Sequence, residues 1–245
     1  MNKANTVGCL LRLLSAFSLI FSAACKDRLF DNPFDPGAGE VVFEVINTIY
    51  SPAFEPRGMT WDGTTLWNVD GSNDMLFGLN AASGTPIRSL KSPLPNTTDL
   101  AYDGQDLWVC SESDVNVYKI NIFTGDIQRR LNLQRGSFSA IEYGLGYLWL
   151  ADVQSNKILK VDPETAEVFS SFPNPGIRVG GLAFDGGHFW VSDPRSLSIY
   201  ELDQGGRVLR QYLSPGQSPQ GLAFDGRFLW NADSSQKLYQ LGFRQ

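Results

Sequence analysis

Trp67, Trp108, Trp149, Trp190 and Trp230 follow one another at intervals of 41, 41, 41 and 40 residues. Each sits at the same place in a thirteen-residue pattern: GMTWDGTTLWNVD from Gly58, DLAYDGQDLWVCS from Asp99, AIEYGLGYLWLAD from Ala140, GLAFDGGHFWVSD from Gly181 and GLAFDGRFLWNAD from Gly221. A fixed period near 40 residues marks a repeat architecture, in which each unit buries its apolar face only by stacking on a neighbour.

Within a unit, four short apolar segments alternate with turn signals. In the fourth unit they are 181–184, 188–192, 198–202 and 207–212, separated at Asp185-Gly186, Asp193-Pro194 and Asp203-Gln204-Gly205-Gly206. Asp-Gly between apolar runs is a strong hairpin signal, because glycine accepts the positive φ of a tight turn. It recurs at Asp62-Gly63, Asp103-Gly104 and Asp225-Gly226, and gives way to Gly144-Leu145-Gly146 in the third unit. Segments such as Phe228-Leu229-Trp230 are apolar at consecutive positions, as in strands covered on both faces. Propeller blades are covered in this way, each packing between two others.

The spacing also counts the blades. Residues 41–245 number 205, which is five periods of 41. The last unit ends after a third strand at 237–241, whereas Val41–Tyr50 precedes the first unit and aligns with a fourth strand. Ser51-Pro52 stands seven residues before Gly58, as Ser214-Pro215 stands seven before Gly221. The expectation is an all-β, five-bladed β-propeller with four-stranded blades, its last blade closed by the N-terminal strand 41–50. Such closure removes two exposed strand edges at once.

The preceding residues have another character. Residues 1–24 carry Lys3 and Arg12, no acid, and an apolar run from Leu13 to Ala24, the form of a signal peptide. Their end, Phe21-Ser22-Ala23-Ala24-Cys25, resembles the lipobox of bacterial lipoproteins, which implies lipidation of Cys25 after cleavage. Plain cleavage after Ala24, at an A-x-A-like site with Ser22, is the alternative. Lys26 in place of an aspartate favours, by the same resemblance, the outer over the inner membrane. Residues 25–40, rich in Asp, Pro and Gly, read as the lipidated cysteine and a flexible tether. An exported, lipid-anchored domain spanning 41–245 is therefore expected, as a monomer touching the membrane only through its anchor.

The repeats, GLAFDGRFLWNAD followed by KLYQL, resemble those of bacterial propellers of the NHL, YVTN and streptogramin-lyase-like group across residues 41–245. The resemblance implies the architecture but no one activity, since this fold hosts lyases, lactonases, cyclases, lectins and scaffolds. Lyases of that group use histidine with glutamate at the channel mouth, and here the lone His188 falls beside an Asp-Gly turn, at the opposite mouth. Motifs of the five-bladed plant-type glutaminyl cyclases are not found. Asp99 and Glu55 are too few for the central metal site of lactonase-type propellers.

Charge and cysteine content narrow the function further. The net charge of −6 becomes −8 from Cys25 onward, which disfavours nucleic acid. Cys110 is the one cysteine of the repeats and reads as a small buried thiol. No catalytic set, metal site or cofactor is indicated. The repeated tryptophans read as inter-blade packing in preference to sugar stacking. Asp70, Asp152, Asp193 and Asp233, with Ser111 in the remaining unit, read as caps of the following turn. Function should lie where the copies disagree, in the loops before each first strand. Arg57, Asp99, Arg135, Arg178 and Gln220 are the candidates there, expected to rim one mouth of the channel, where arginines could hold a carboxylate or sugar acid. The expected role is a binding or scaffold module for a small polar ligand, glycan or protein; the alternative is a lyase-, lactonase- or cyclase-type enzyme at the same mouth.

Overall fold

The structure, a computed structural model, describes residues 43–243. The leader, Cys25 and the tether lie outside the described residues. Twenty antiparallel strands form five four-stranded sheets. Strand β1 (Phe43–Tyr50) comes first. Blade 1 holds β2 (Pro56–Trp61), β3 (Leu66–Asp70), β4 (Met75–Leu79) and β5 (Pro86–Lys91). Blade 2 holds β6 (Thr97–Tyr102), β7 (Leu107–Ser111), β8 (Asn116–Ile120) and β9 (Ile127–Asn132). Blade 3 holds β10 (Phe138–Gly144), β11 (Tyr147–Asp152), β12 (Lys157–Val161) and β13 (Val168–Pro173). Blade 4 holds β14 (Gly181–Phe184), β15 (Phe189–Asp193), β16 (Ser198–Leu202) and β17 (Val208–Leu213). Blade 5 holds β18 (Pro219–Phe224), β19 (Leu229–Asp233) and β20 (Lys237–Phe243), with β1 as its fourth strand.

The N-terminal strand thus closes the ring. It pairs antiparallel with β20 from Tyr50↔Lys237 to Phe43↔Phe243, with a register shift between Val45 and Asn47. Phe43 is buried, and its ring stacks on Tyr212 of blade 4 at 4.4 Å. The first chain segment therefore completes blade 5 and grips blade 4 as well.

Burial follows strand position. The second strands β3, β7, β15 and β19 are buried at every residue, whereas the outermost β5 and β9 bury only Leu90 and Leu131. Five apolar clusters fill the five seams, and each contains one repeat tryptophan. Trp67 lies with Leu100, Leu107 and Val109 of blade 2, and Trp108 with Phe138, Ile141 and Leu148 of blade 3. Trp149 packs with Leu182 and Phe189, Trp190 with Leu222 and Leu229, and Trp230 with Met59 and Leu66. Trp61 packs against the last of these clusters from a half-buried position. Cys110 is fully buried, and burial pushes its thiol pKa well up.

Each indole N–H needs a partner once buried. In four blades it is the aspartate five residues earlier: Asp62 for Trp67, Asp103 for Trp108, Asp185 for Trp190 and Asp225 for Trp230, at 2.8–2.9 Å. The other carboxylate oxygen accepts two backbone N–H groups of the same turn, as Asp62 does from Thr64 and Thr65. Burial alone would raise the Asp62 carboxyl, but bonds from Trp67, Thr64 and Thr65 outweigh it and hold the pKa low. The Asp-Gly turns are accordingly not tight two-residue turns. Only the glycine has positive φ, and the loop is held by the aspartate side chain. Blade 3, which lacks the aspartate, makes the two-residue turn instead, with positive φ at both Leu145 and Gly146. There Trp149 donates to the Gly144 carbonyl at 3.0 Å.

Asp225→Ala strips acceptors from Trp230, Arg227 and Phe228 and should cost about 2–3 kcal/mol in denaturant unfolding. Deleting residues 41–50 should lower the melting temperature of the whole domain by more than Phe43→Ala, which removes about 3 kcal/mol of core packing. An unchanged melting temperature would refute ring closure by β1.

Candidate functional site

The innermost strand of every blade carries one residue to the level where the ring is narrowest. In repeat register these are Gly58, Asp99, Ala140, Gly181 and Gly221, all buried. Glycine is required here by proximity. A Cβ on Gly181 would stand 2.6 Å from the Gly221 Cα, and one on Gly58 would collide with the Asp99 carboxylate. All five positions are shut off from solvent, and the Asp99 carboxylate takes the space beside Gly58 while neighbouring backbone takes that beside Gly181 and Gly221. Its oxygens accept from the backbone N–H of Leu100 at 2.9 Å and of Ile141 at 3.0 Å. Burial raises its pKa well above the ordinary range, against the pull of those bonds and with a further push from Glu142.

Glu142 lies one layer toward the opposite mouth, where the register places Thr60, Ala101, Ala183 and Ala223. It accepts from the Tyr143 N–H at 2.8 Å, and burial drives its pKa to about 8. The core of the ring thus holds two carboxyls whose pKa burial raises, that of Glu142 past neutrality.

Above this plug, on the face of the loops preceding each first strand, opens a cup of about 660 Å³. Arg57 and Glu55 reach it from blade 1, Glu112 from blade 2, Ser139 from blade 3, Arg178 from blade 4 and Gln220 from blade 5. Arg57 lies over Gly71, where any side chain would displace the guanidinium, and pairs with Glu55 at 3.5 Å. Arg178 pairs with Glu112, 66 positions away in sequence. The Gln220 side chain is held by its Nε2 donating to the Ser218 hydroxyl at 2.9 Å. Both ion pairs are half-open to solvent, so each stabilises the fold by only about 0.5–1 kcal/mol. Such charges are weakly committed and available to a ligand.

Of the five sequence candidates, Arg57, Arg178 and Gln220 line the cup. Asp99 and Arg135 do not. Asp99 sits one layer below, because it occupies the register of the glycine ring and its short side chain is enclosed by inner strands on either side. Arg135 is exposed on a separate depression of blade 3, with Gly136, Gln154 and Lys157. It stands five positions before its ring residue, against one for Arg57 and three for Arg178, where the chain is still crossing over the blade. Glu112 was missed because it follows a second strand, at a turn read as purely structural. The signal was present, since the same slot holds Gly71, Val153, Pro194 and Ser234 in the other blades.

The strand-end aspartates are engaged by the backbone of their own blades. Asp70 accepts from Phe54, Glu55 and Ser72, and Asp193 from Ile177, Arg195 and Ser196, tying the loop before the first strand to the turn after the second. His188 stands at the opposite face, 3.6 Å from Asp185 and 3.7 Å from Glu201. Among the described residues, no cluster of His, Cys, Asp and Glu suits a metal ion.

No protein-family model matches this chain, and no curated protein matches it in sequence. Solved structures do match it in fold. A glutaminyl cyclase of Myxococcus xanthus superposes with a TM-score of 0.72 at 15% identity, over 83% of this chain and 97% of that one. A catalytically inactive virginiamycin B lyase of Staphylococcus aureus, solved with quinupristin, gives 0.51 at 18% identity, over 77% of this chain and 66% of that one. At these identities the likeness is one of fold. The class it defines is the β-propeller, here with five blades.

The core carboxyls give a pH prediction. A carboxyl whose folded pKa is raised stabilises fully below its unfolded value, and that stability is lost as pH rises through the folded pKa. Wild-type stability should therefore fall between pH 4.5 and about 8 through Glu142. Glu142→Gln should flatten that window, recovering on the order of 4 kcal/mol at pH 8 in urea unfolding.

Proposed function

We propose that this protein is an exported, lipid-anchored propeller that binds a small polar ligand in the cup on the face of the first-strand loops. The observation that carries the reading is convergence. Two arginines and two glutamates from three blades meet in one closed-bottomed cavity, on loops whose repeat copies otherwise share no charge pattern. The scaffold does not require them. The turns and seams are held by Asp, Trp and Gly at repeated positions, whereas these four residues each occur once in their register. A floor plugged by Asp99 leaves the mouth as the route in and out, as suits a binding cup more than a conduit.

A second reading has its own support. The fold extends over nearly the whole of a glutaminyl cyclase chain, and Glu55 and Glu112 supply carboxylates that could move a proton in the same cup. Either reading places function at the same residues. A binding module leaves its ligand unchanged, whereas an enzyme converts it, so mass spectrometry of a bound compound before and after incubation separates them.

Arg57→Ala combined with Arg178→Ala should abolish ligand binding in calorimetry while leaving the circular dichroism spectrum unchanged and lowering unfolding stability by no more than about 1–2 kcal/mol. Retained binding would remove the cup from consideration. The anchor is tested separately: Cys25→Ser should move the protein from the membrane fraction to the soluble exported fraction. A mutant that stays with the membrane would exclude the lipid anchor.

A further inference from the structure

The Arg178–Glu112 ion pair joins blades 4 and 2, which are not neighbours, and so bridges the cup over the sector of blade 3. The charges in the cup are balanced. Arg57 has Glu55 at 3.5 Å, and Arg178 has Glu112. A purely anionic ligand on Arg178 would leave Glu112 to water alone, and a purely cationic one on Glu112 would leave Arg178 so. A molecule carrying one charge of each sign replaces the bridge with two charge-assisted contacts and engages both residues at once. Neutral donors stand beside them. The hydroxyls of Ser139 and Ser234 and the carboxamide of Asn96 line the cavity and take no hydrogen-bond partner among the described residues.

Resting on the reading of the cup as a ligand site, we propose that it takes a small zwitterion of the free α-amino-acid type. The ligand carboxylate binds the guanidinium of Arg178, and the ammonium binds the carboxylate of Glu112. The bridge across the mouth is the unliganded state, and it opens as these two contacts form. The cup, at about 660 Å³, has room for such a molecule with its side chain.

The test uses the full chain and a panel of the twenty free L-amino acids in thermal-shift titration, followed by calorimetry of each compound that shifts. At least one should bind saturably. Its N-acetyl and its amide derivatives, each lacking one charge, should bind at least tenfold more weakly. Glu112→Gln should erase the preference over the N-acetyl form, and Arg178→Met the preference over the amide, effects that a merely structural role would not produce. Derivatives that bind as well as the parent would overturn the proposal, as would a panel that shifts nothing. A parallel panel of neutral oligosaccharides keeps the two readings apart. Should these shift the wild type but not Arg57→Ala/Arg178→Ala, the cup stands as a binding site and the zwitterion falls; should neither panel shift it, both fall.

Discussion

The bond between a turn aspartate and the indole N–H five residues later is the contact on which the rest of this ring is built. It does two jobs with one side chain. One oxygen organises the loop between the first two strands of a blade, and the other removes the penalty of burying a Trp N–H. With that N–H satisfied, the ring can lie wholly within the seam, where Trp67, Trp108 and Trp230 are no more than 1% exposed. The seams in turn fix the inner strands, and the inner strands carry the loops that form the cup. Blade 3 shows the constraint by its exception: without the aspartate, a main-chain carbonyl takes the indole and the turn tightens around Leu145 and Gly146.

A ring this narrow leaves little room on its axis, and the five register positions there divide the work. Three glycines let backbones approach within a distance no Cβ would survive, and one aspartate fills the space beside Gly58. The cost is a buried carboxyl near a second one at Glu142, and burial raises the pKa of both. The result is a floor. Charges on the first-strand loops therefore face a cup and not a pore, and that gives the weakly held pairs of Arg57 and Arg178 their significance.

Much of this was legible in the residues alone. Five tryptophans at a constant interval counted the blades, and the missing fourth strand of the last unit was found in the segment before the first. The seam role of the tryptophans and the buried state of Cys110 were also readable, because repetition at an apolar position is what a packing role demands. Other features were not. Asp99 stands in register with Gly58 and Gly181, but that this position is buried below the mouth and not on its rim appears only in the closed ring. Glu112 was hidden in a turn whose neighbours, Ser111 and Ser113, have a purely local explanation. Arg135 resembled Arg57 and Arg178 in type and approximate place, but two to four residues of offset on a curving loop set it on another surface.

The division has a physical basis. Strand length, turn chemistry and seam packing are decided within a unit or between adjacent units, so they are written in spacing that a linear reading can count. That was enough to determine an all-β ring, its five blades and its closure by the N-terminal strand. Which side chains meet across the mouth depends on residues from non-adjacent blades, brought together only when the ring closes. The pairing of Arg178 with Glu112, and the burial of Asp99 below them, are consequences of that closure, and only the tertiary structure decided them.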